Sequence, residues 1–298
     1  MIYVKPALII GCGYVGKRVA RRLLAEGRQV TAAVRSEERV SELESDGITT
    51  RQIDLDSGQG LEQLPLSGAQ ILHSAPPPGT GETDPRTDRL LSFCRKNPPA
   101  NIVYISTTGV YGDRGGNRVD ELTEPAPLSD RGKRRRYAEL ALLAFMQETG
   151  VPVTIIRAPG IYGPGRLPIA RINAAEPVVN EQEAGPGNRI HADDLASICV
   201  AAMEHGPAGR IYNAGDGDHR SMTAFVMTTA DLAGLPKPPE ISLAEAEKRL
   251  SPGMMSFIRE SRVVRADRVL VELDLNLRYP RMELGIQASL AEQANNKQ

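Results

Sequence analysis

Six consecutive residues, Gly11-Cys12-Gly13-Tyr14-Val15-Gly16, have the spacing in this chain that points most clearly to chemistry. They follow a short apolar run at Ala7–Ile10 and open a segment in which Val15, Val19 and Leu23 recur one helical turn apart. In a strand-to-helix turn of this kind the first glycine permits the tight bend. The second lets the backbone approach a pyrophosphate, and the third lets the helix pack closely on the strand. The open amides at the helix N-terminus then face the negative charge. All six residues are therefore expected to hold a dinucleotide, and the reading as a glycine-rich turn without a ligand is set aside on its placement.

Which dinucleotide is held depends on the end of the second strand, where an acid about twenty positions after the glycines would bind the ribose 2′-hydroxyl of NAD. The chain has Val34-Arg35-Ser36 there instead. A guanidinium and a hydroxyl suit a 2′-phosphate, which favours NADP over NAD. The alternative is that Arg35 is a solvated strand-end residue paired with Glu37 or Glu38. Asp54 and Leu55 close the third strand at the same edge, Asp54 either accepting from the adenine amino group or serving as a turn residue. His73 and Ala75, at the end of the fourth strand, border the expected cleft. Cys12 is either a thiol made reactive by the helix N-terminus or a small filler.

These residues need a scaffold, and the rest of the chain supplies one. Apolar, β-branched runs at Ala7–Ile10, Gln29–Val34, Thr49–Ile53, Ile71–His73, Ile102–Ser106 and Val153–Ile156 alternate with segments of helical composition. Continuous apolar strands fit a parallel sheet covered on both faces. The expected fold class is α/β, a Rossmann-type doubly wound sheet with a smaller C-terminal substrate lobe. Residues 1–165 form the dinucleotide-binding domain, to which 189–221 return, with a strand at Ile211–Asn213. Residues 166–188 and 222–298 form the lobe, with helical pieces at Thr223–Ala233, Leu243–Leu250 and Arg265–Leu273 and a frayed tail from Gln293.

Composition narrows the function. The 298 residues carry 36 Lys and Arg against 37 Asp and Glu, so no general field draws nucleic acid or an anionic membrane. The chain has no Trp and four Phe, too few for base-stacking platforms. Cys12, Cys94 and Cys199 lack metal spacing and suit a reducing compartment, hence a cytoplasmic protein. His191 with Asp193 and Asp194 reads as a helix start with the aspartates as caps, and no metal is expected. Asp120, Glu121 and Glu124 read either as an exposed acidic stretch or as the source of a catalytic acid.

Together with three later segments, the glycine turn resembles the extended short-chain dehydrogenase/reductase superfamily, its NAD-dependent epimerase/dehydratase group and especially the atypical members. The segments are Val103-Tyr104-Ile105-Ser106-Thr107-Thr108-Gly109-Val110-Tyr111-Gly112, Ile156-Arg157-Ala158-Pro159-Gly160-Ile161-Tyr162-Gly163-Pro164-Gly165 and Asn188-Arg189-Ile190-His191-Ala192-Asp193-Asp194-Leu195. The resemblance puts Thr107 where a hydroxyl polarises a substrate carbonyl, and implies a homodimer through two helices. The family's chemistry uses a Tyr and a Lys four residues later on the next helix. Aligning Glu139 with the acid that follows that pair puts Arg131 at the Tyr position and Arg135 at the Lys position. Arg131 stays protonated and cannot shuttle a proton, whereas Arg135 keeps the capacity to donate to a ribose hydroxyl. Lys133 and Tyr137 form a reversed pair, displaced by roughly 200° around the helix, and Tyr137 also fits an apolar spacing. The five cations between Arg131 and Arg136 either clamp an anion or form a solvated face.

Two functions follow. One is an oxidoreductase or epimerase-like enzyme acting on a small, anionic or sugar-like carbonyl substrate. In it Thr107 orients the substrate, and Tyr111, Tyr162, Tyr137 or His73 replaces the usual proton donor. The other is a catalytically inactive, dinucleotide-responsive regulatory protein.

Overall fold

A computed structural model describes residues 5–295. The first half of the chain runs β1 (Ala7–Ile10), α1 (Tyr14–Ala25), β2 (Val30–Val34), α2 (Glu37–Ser45), β3 (Thr49–Gln52), β4 (Gln70–His73), α3 (Pro85–Lys96), β5 (Asn101–Thr107), β6 (Arg118–Val119), α4 (Asp130–Thr149) and β7 (Val153–Ala158). The second runs β8 (Gly160–Tyr162), α5 (Ile169–Asn173), β9 (Val178–Val179), β10 (Arg189–His191), α6 (Ala192–His205), β11 (Ile211–Asn213), α7 (Met222–Ala233), β12 (Glu240–Ile241), α8 (Leu243–Arg249), α9 (Pro252–Arg259), β13 (Val263–Val264), α10 (Asp267–Glu272) and α11 (Met282–Asn295).

Seven strands form one parallel sheet in the order β3-β2-β1-β4-β5-β7-β11, the doubly wound arrangement with its switch point between β1 and β4. Alternate residues along the central strands go to opposite faces. Ile9, Leu72, Val103 and Ile156 pack with α1 and α6 on one side. Leu8, Ile10, Ile71, Tyr104 and Ile155 pack with α3 and α4 on the other. Because both faces are covered, the strands read as unbroken apolar runs.

Register aligns the strand ends. Ile10 lies opposite Ala33 and His73, His73 opposite Tyr104, and Thr107 opposite Ala158, so the segments that follow these strands emerge along a single carboxyl edge. The remaining strands form three short parallel pairs, β8 with β10, β9 with β12 and β6 with β13. α7 and α11 share a small apolar cluster with Tyr162 and Leu167.

The C-terminal part differs from the sequence reading in three places. Val269 and Leu273 of the α10 region pack into the sheet's own cluster beside α1 and α6, not into the lobe. α9 and α11 lie outside the expected helical pieces, since α9 has an apolar face in Met254, Phe257 and Ile258 but is only eight residues long, and the buried stripe of α11 mixes Gly285 and Ser289 with Met282 and Ile286. The tail expected to fray from Gln293 continues α11 to Asn295, and its last three residues lie outside the described part. Among the described residues no helix is long and apolar enough to cross a membrane.

Candidate functional site

The glycine turn has the geometry its spacing implies. Gly11 has φ +83°, and a Cβ there would come within 2.5 Å of the Ala75 backbone. At Gly16 a Cβ would meet Ile9 at 3.0 Å and the Gly11 carbonyl at 3.3 Å, so the helix approaches the strand as closely as it can. At Gly13 the nearest atom to a Cβ is 3.9 Å away, and no protein group fills that side of the turn. α1 also begins without a side-chain cap, which leaves its first amides open to the groove. Ser74 fixes the far wall by donating to the Gly11 carbonyl at 2.9 Å. A cavity of about 400 Å³ runs from this turn across the ends of β1 to β4 and takes in Gly11, Cys12, Gly13, Arg35, Ser36, Asp54, Leu55 and Ala75. The residues present therefore fit a dinucleotide, with the glycine turn toward the pyrophosphate and the β2 and β3 ends toward the adenosine.

The β2 end gathers Arg35, Arg39 and Arg86 beside acids, Arg39 pairing with Glu42 and Arg86 with Asp56. The Arg35 side chain is 71% exposed, with only a 3.5 Å contact to Asp56. It does not pair with Glu37 or Glu38. Ser36 caps α2 by accepting from the Arg39 amide at 3.4 Å, and Arg39 lines the same cavity. Arg86 closes the rim with two 2.6 Å bonds to Asp56, which hold that carboxyl below its ordinary range. Asp54 is a turn residue, accepting from the Asp56 amide and Ser57, yet it still borders the groove. Arg39, Asp56 and Arg86 were missed in the sequence. Only Arg39, one turn beyond Ser36 on α2, had a signal to find it by. Burial pushes the Cys12 thiol up to about 12, which removes the reactive-thiol alternative.

The site continues along β5 and α4. Thr107 ends β5, and its Oγ1 accepts from the Gly109 amide at 3.1 Å, an arrangement that leaves its own O–H to donate. Arg135 reaches back to β5 and donates to the Ile105 carbonyl at 2.8 Å and the Tyr104 hydroxyl at 3.1 Å. Arg131, one turn earlier, is exposed. The rest of the basic run is neither a clamp nor a bare solvated face. Lys133 pairs with Glu82, Arg134 donates to the Gly81 carbonyl, and Arg136 pairs with Glu139.

Behind this edge lies a buried polar network that the sequence did not disclose. Glu139 accepts from Arg157 Nε at 3.0 Å and Nη2 at 2.7 Å, and from Ser106 at 2.6 Å. Arg157 also donates to the Tyr111 hydroxyl at 3.0 Å, and that hydroxyl donates to Asn213 at 2.8 Å. The network joins α4 to the ends of β5, β7 and β11. Tyr111 is fully buried with both hydroxyl functions committed, so it offers no proton to the cleft. Glu121, expected to be exposed, is drawn in by the same edge and accepts from the Asn213 amide at 2.9 Å.

The other proposed donors are also accounted for. Tyr137 donates to Asp88 on α3 at 2.8 Å, which places its hydroxyl between helices and away from both cavities. His73 is buried against Thr87, whose hydroxyl donates to Asp84, so its Nε2–H donates to Thr87. Burial and then Arg135 hold its pKa down at about 3, and it is neutral near pH 7. Tyr162 alone of the four belongs to the wall of the second cavity, but its hydroxyl is buried without a partner against Gly285 of α11, where a Cβ would clash with it, and burial raises its pKa. His191 caps α6 itself, its Nδ1 accepting from the Asp193 amide, while Asp193 binds Arg18 and Asp194 accepts from the Arg278 and Tyr279 amides. The aspartates are therefore not the caps. Among the described residues no cluster could hold a metal.

The second cavity, about 360 Å³, opens beyond β5 between Thr108, Gly160–Tyr162 and the lobe helices α7 and α9. Tyr14 ties the two halves together. Its hydroxyl donates to the Pro164 carbonyl at 2.9 Å, and its ring lies under Arg166, which lines this cavity, at 3.9 Å.

Comparison with known proteins gives a consistent picture. Residues 7–215 match the NAD dependent epimerase/dehydratase family. The uncharacterized protein y4nG of Sinorhizobium fredii is 30% identical over 219 residues, which are 67% of this chain and 53% of that protein, so the chain spans about half of that relative's length. The structure of a functionally unknown conserved protein from Silicibacter pomeroyi superposes with a TM-score of 0.83 at 28% identity, covering 97% of this chain and 99% of that one. UDP-glucuronic acid 4-epimerase from Bacillus cereus, solved in complex with NAD, shares the fold with a TM-score of 0.79 at 17% identity, covering 98% and 100%.

Proposed function

The chain belongs to the NAD dependent epimerase/dehydratase family, and from that premise we propose that it is a nicotinamide-dependent oxidoreductase or epimerase-like enzyme that prefers NADP and handles protons without the usual tyrosine. The observation that carries this reading is the pairing of two cavities on one sheet edge, a dinucleotide groove at the glycine turn and a chamber roofed by the lobe. The dinucleotide, when bound, supplies hydride exchange with a substrate carbon. Gly11, Cys12, Gly13, Tyr14, Val15 and Gly16 hold its pyrophosphate. Arg35, Ser36 and Arg39 meet the adenosine ribose, where a 2′-phosphate gains charge-assisted bonds. Arg135 is the proposed donor to the second ribose. Thr107, at the end of β5 beside the chamber-lining Thr108, is the proposed donor to the substrate oxygen, and Tyr162 is the proposed proton partner once its hydroxyl turns from Gly285 toward the chamber.

The similarity to an enzyme of sugar nucleotides supports a sugar-like or small carbonyl substrate. Arg131 supports a second reading, a dinucleotide-responsive binding protein, because a guanidinium cannot perform the phenol's proton transfer. A panel of sugar and small carbonyl substrates, followed by the absorbance of the reduced nicotinamide, separates the two. Turnover that falls at least about tenfold in Thr107→Ala supports the enzyme. Stoichiometric cofactor binding with an unchanged redox state across the panel supports the regulator.

A further inference from the structure

Tyr14 is the first residue of α1, directly after Gly13 on the wall of the dinucleotide groove, and its backbone amide is one of those that the uncapped helix leaves open. Its side chain serves a different segment. The hydroxyl donates to the carbonyl of Pro164, 150 residues further along the chain, at 2.9 Å. The ring is held between two guanidinium groups, Arg18 at 4.0 Å and Arg166 at 3.9 Å. Arg18 is itself fixed, donating to Asp193 on α6 at 2.9 Å and to the Tyr14 carbonyl at 2.9 Å.

The distant segment is shaped to receive the tyrosine. A Cβ at Gly163 would come within 2.5 Å of Tyr14 Oη and 3.4 Å of His191 Nε2, so glycine is what lets the chain pass between α1 and the start of α6. The same stretch forms one wall of the second cavity, through Gly160, Ile161, Tyr162, Arg166, Pro168 and Arg171. Arg171 is paired with Glu176 at 2.7 Å. Arg166 is exposed and makes no ion pair among the described residues, so the Tyr14 ring is what holds its guanidinium on the cavity wall. A single residue thus serves both cavities, the groove through its amide and the chamber wall through its side chain.

We propose that Tyr14 is a positioning residue that couples the two cavities: a dinucleotide on the glycine turn fixes the first turn of α1, and the Tyr14 side chain in turn fixes the segment 163–174 and sets Arg166 on the chamber wall. The proposal rests on the reading of the first cavity as a dinucleotide groove, and it adds an order of binding, cofactor before chamber ligand. The driving force is differential affinity. Phosphate oxygens that accept from the open amides bind best when the first turn is in place, and they therefore favour the state in which the Tyr14 bond and stack are made. The coupling is reciprocal, so a chamber ligand that bonds Arg166 tightens dinucleotide binding by the same factor.

Hydrogen exchange of the whole protein reads this coupling. The amides of Arg166, Ile172 and Ala174 donate to the Gly163, Pro168 and Ala170 carbonyls and report on the segment. Wild type, Tyr14→Phe and Tyr14→Leu are each measured alone and saturated with NADPH or NADH, whichever calorimetry of the same sample shows to bind more tightly. In wild type the dinucleotide slows exchange of these amides at least about fivefold. Tyr14→Phe keeps the ring between the arginines and loses the hydroxyl, so part of the slowing remains; Tyr14→Leu loses both bond and stack, and the slowing falls below about twofold. A tether with a structural role alone speeds exchange in the variants equally with and without dinucleotide, and slowing by the same factor in Tyr14→Phe as in wild type overturns the proposal even where Tyr14→Leu does not fold. Wild type that binds dinucleotide without slowing the segment sinks the coupling and leaves the groove standing, while no binding of either dinucleotide sinks both.

Discussion

Replacing Arg157 by Met tests whether the buried network sets the geometry of the catalytic edge. The substitution keeps much of the volume but removes the charge opposite Glu139, which lies fully buried on α4. Glu139 then keeps only Ser106 and the partly exposed Arg136, at 3.2 Å, as partners, and the Tyr111 hydroxyl loses its donor. Breaking a buried, hydrogen-bonded ion pair from one side costs about 3–5 kcal/mol, because the remaining charge stays buried without compensation. At about 2–4 °C per kcal/mol for a chain of this size class, the midpoint of thermal unfolding falls by roughly 6–20 °C. Glu139→Leu alone strands Arg157 in the same way and is expected to cost as much. The double variant Glu139→Leu/Arg157→Met strands neither charge and costs less than either single one. Urea unfolding of the four proteins at one pH measures the cycle. Single variants within about 1 kcal/mol of wild type, or a double variant as costly as the two singles summed, would refute this view of the network.

Three other expectations follow, two at the glycine turn and one at a buried carboxyl outside the cavities. Gly11→Ala puts a Cβ 2.5 Å from Ala75 at φ +83° and should cost about 2–4 kcal/mol of stability. Gly13→Ala meets no protein atom closer than 3.9 Å, so its stability stays within about 1 kcal/mol of wild type while affinity for NADPH drops at least about tenfold; paired unfolding and calorimetric titrations check both, and equal stability losses would remove the ligand rationale. Asp216 is buried, and that burial raises its pKa from 3.8 to about 7. Between those values the folded chain keeps a proton that the unfolded chain has released, so this group's contribution favours folding at acid pH and is lost as pH rises, by about 4 kcal/mol in all. Asp216→Asn should flatten that part of the stability profile between about pH 4 and 7, and a profile identical to wild type would contradict the assignment.

The cofactor half of the molecule was largely legible because local rules decide it. β1 and β11 begin and end where the apolar runs do, and the glycines at 11, 13 and 16 each meet the steric condition that their spacing implied. The lobe was less legible. Its strands are two or three residues long and pair with segments far away in sequence, as β13 does with β6, so no local period marks them. The fate of the tyrosines was hidden for a related reason. Tyr111 and Tyr162 have the same residue type and both follow strands, yet Arg157 and Asn213 saturate one hydroxyl while the other is left without a partner. That difference depends on Arg157 meeting Glu139, a contact between a strand and a helix that no spacing within either segment encodes.

The central claim is that the groove at the β1 turn binds a nicotinamide dinucleotide and that Arg35 selects the phosphorylated form. Calorimetric titration of wild type and Arg35→Ala with NADPH and NADH tests it most directly. The account predicts that NADPH binds wild type about 10–100-fold tighter than NADH, as one or two charge-assisted hydrogen bonds would give, and that most of this preference disappears in Arg35→Ala. Tighter binding of NADH, or a preference that survives the substitution, would contradict the role of Arg35; no binding of either would contradict the dinucleotide site itself.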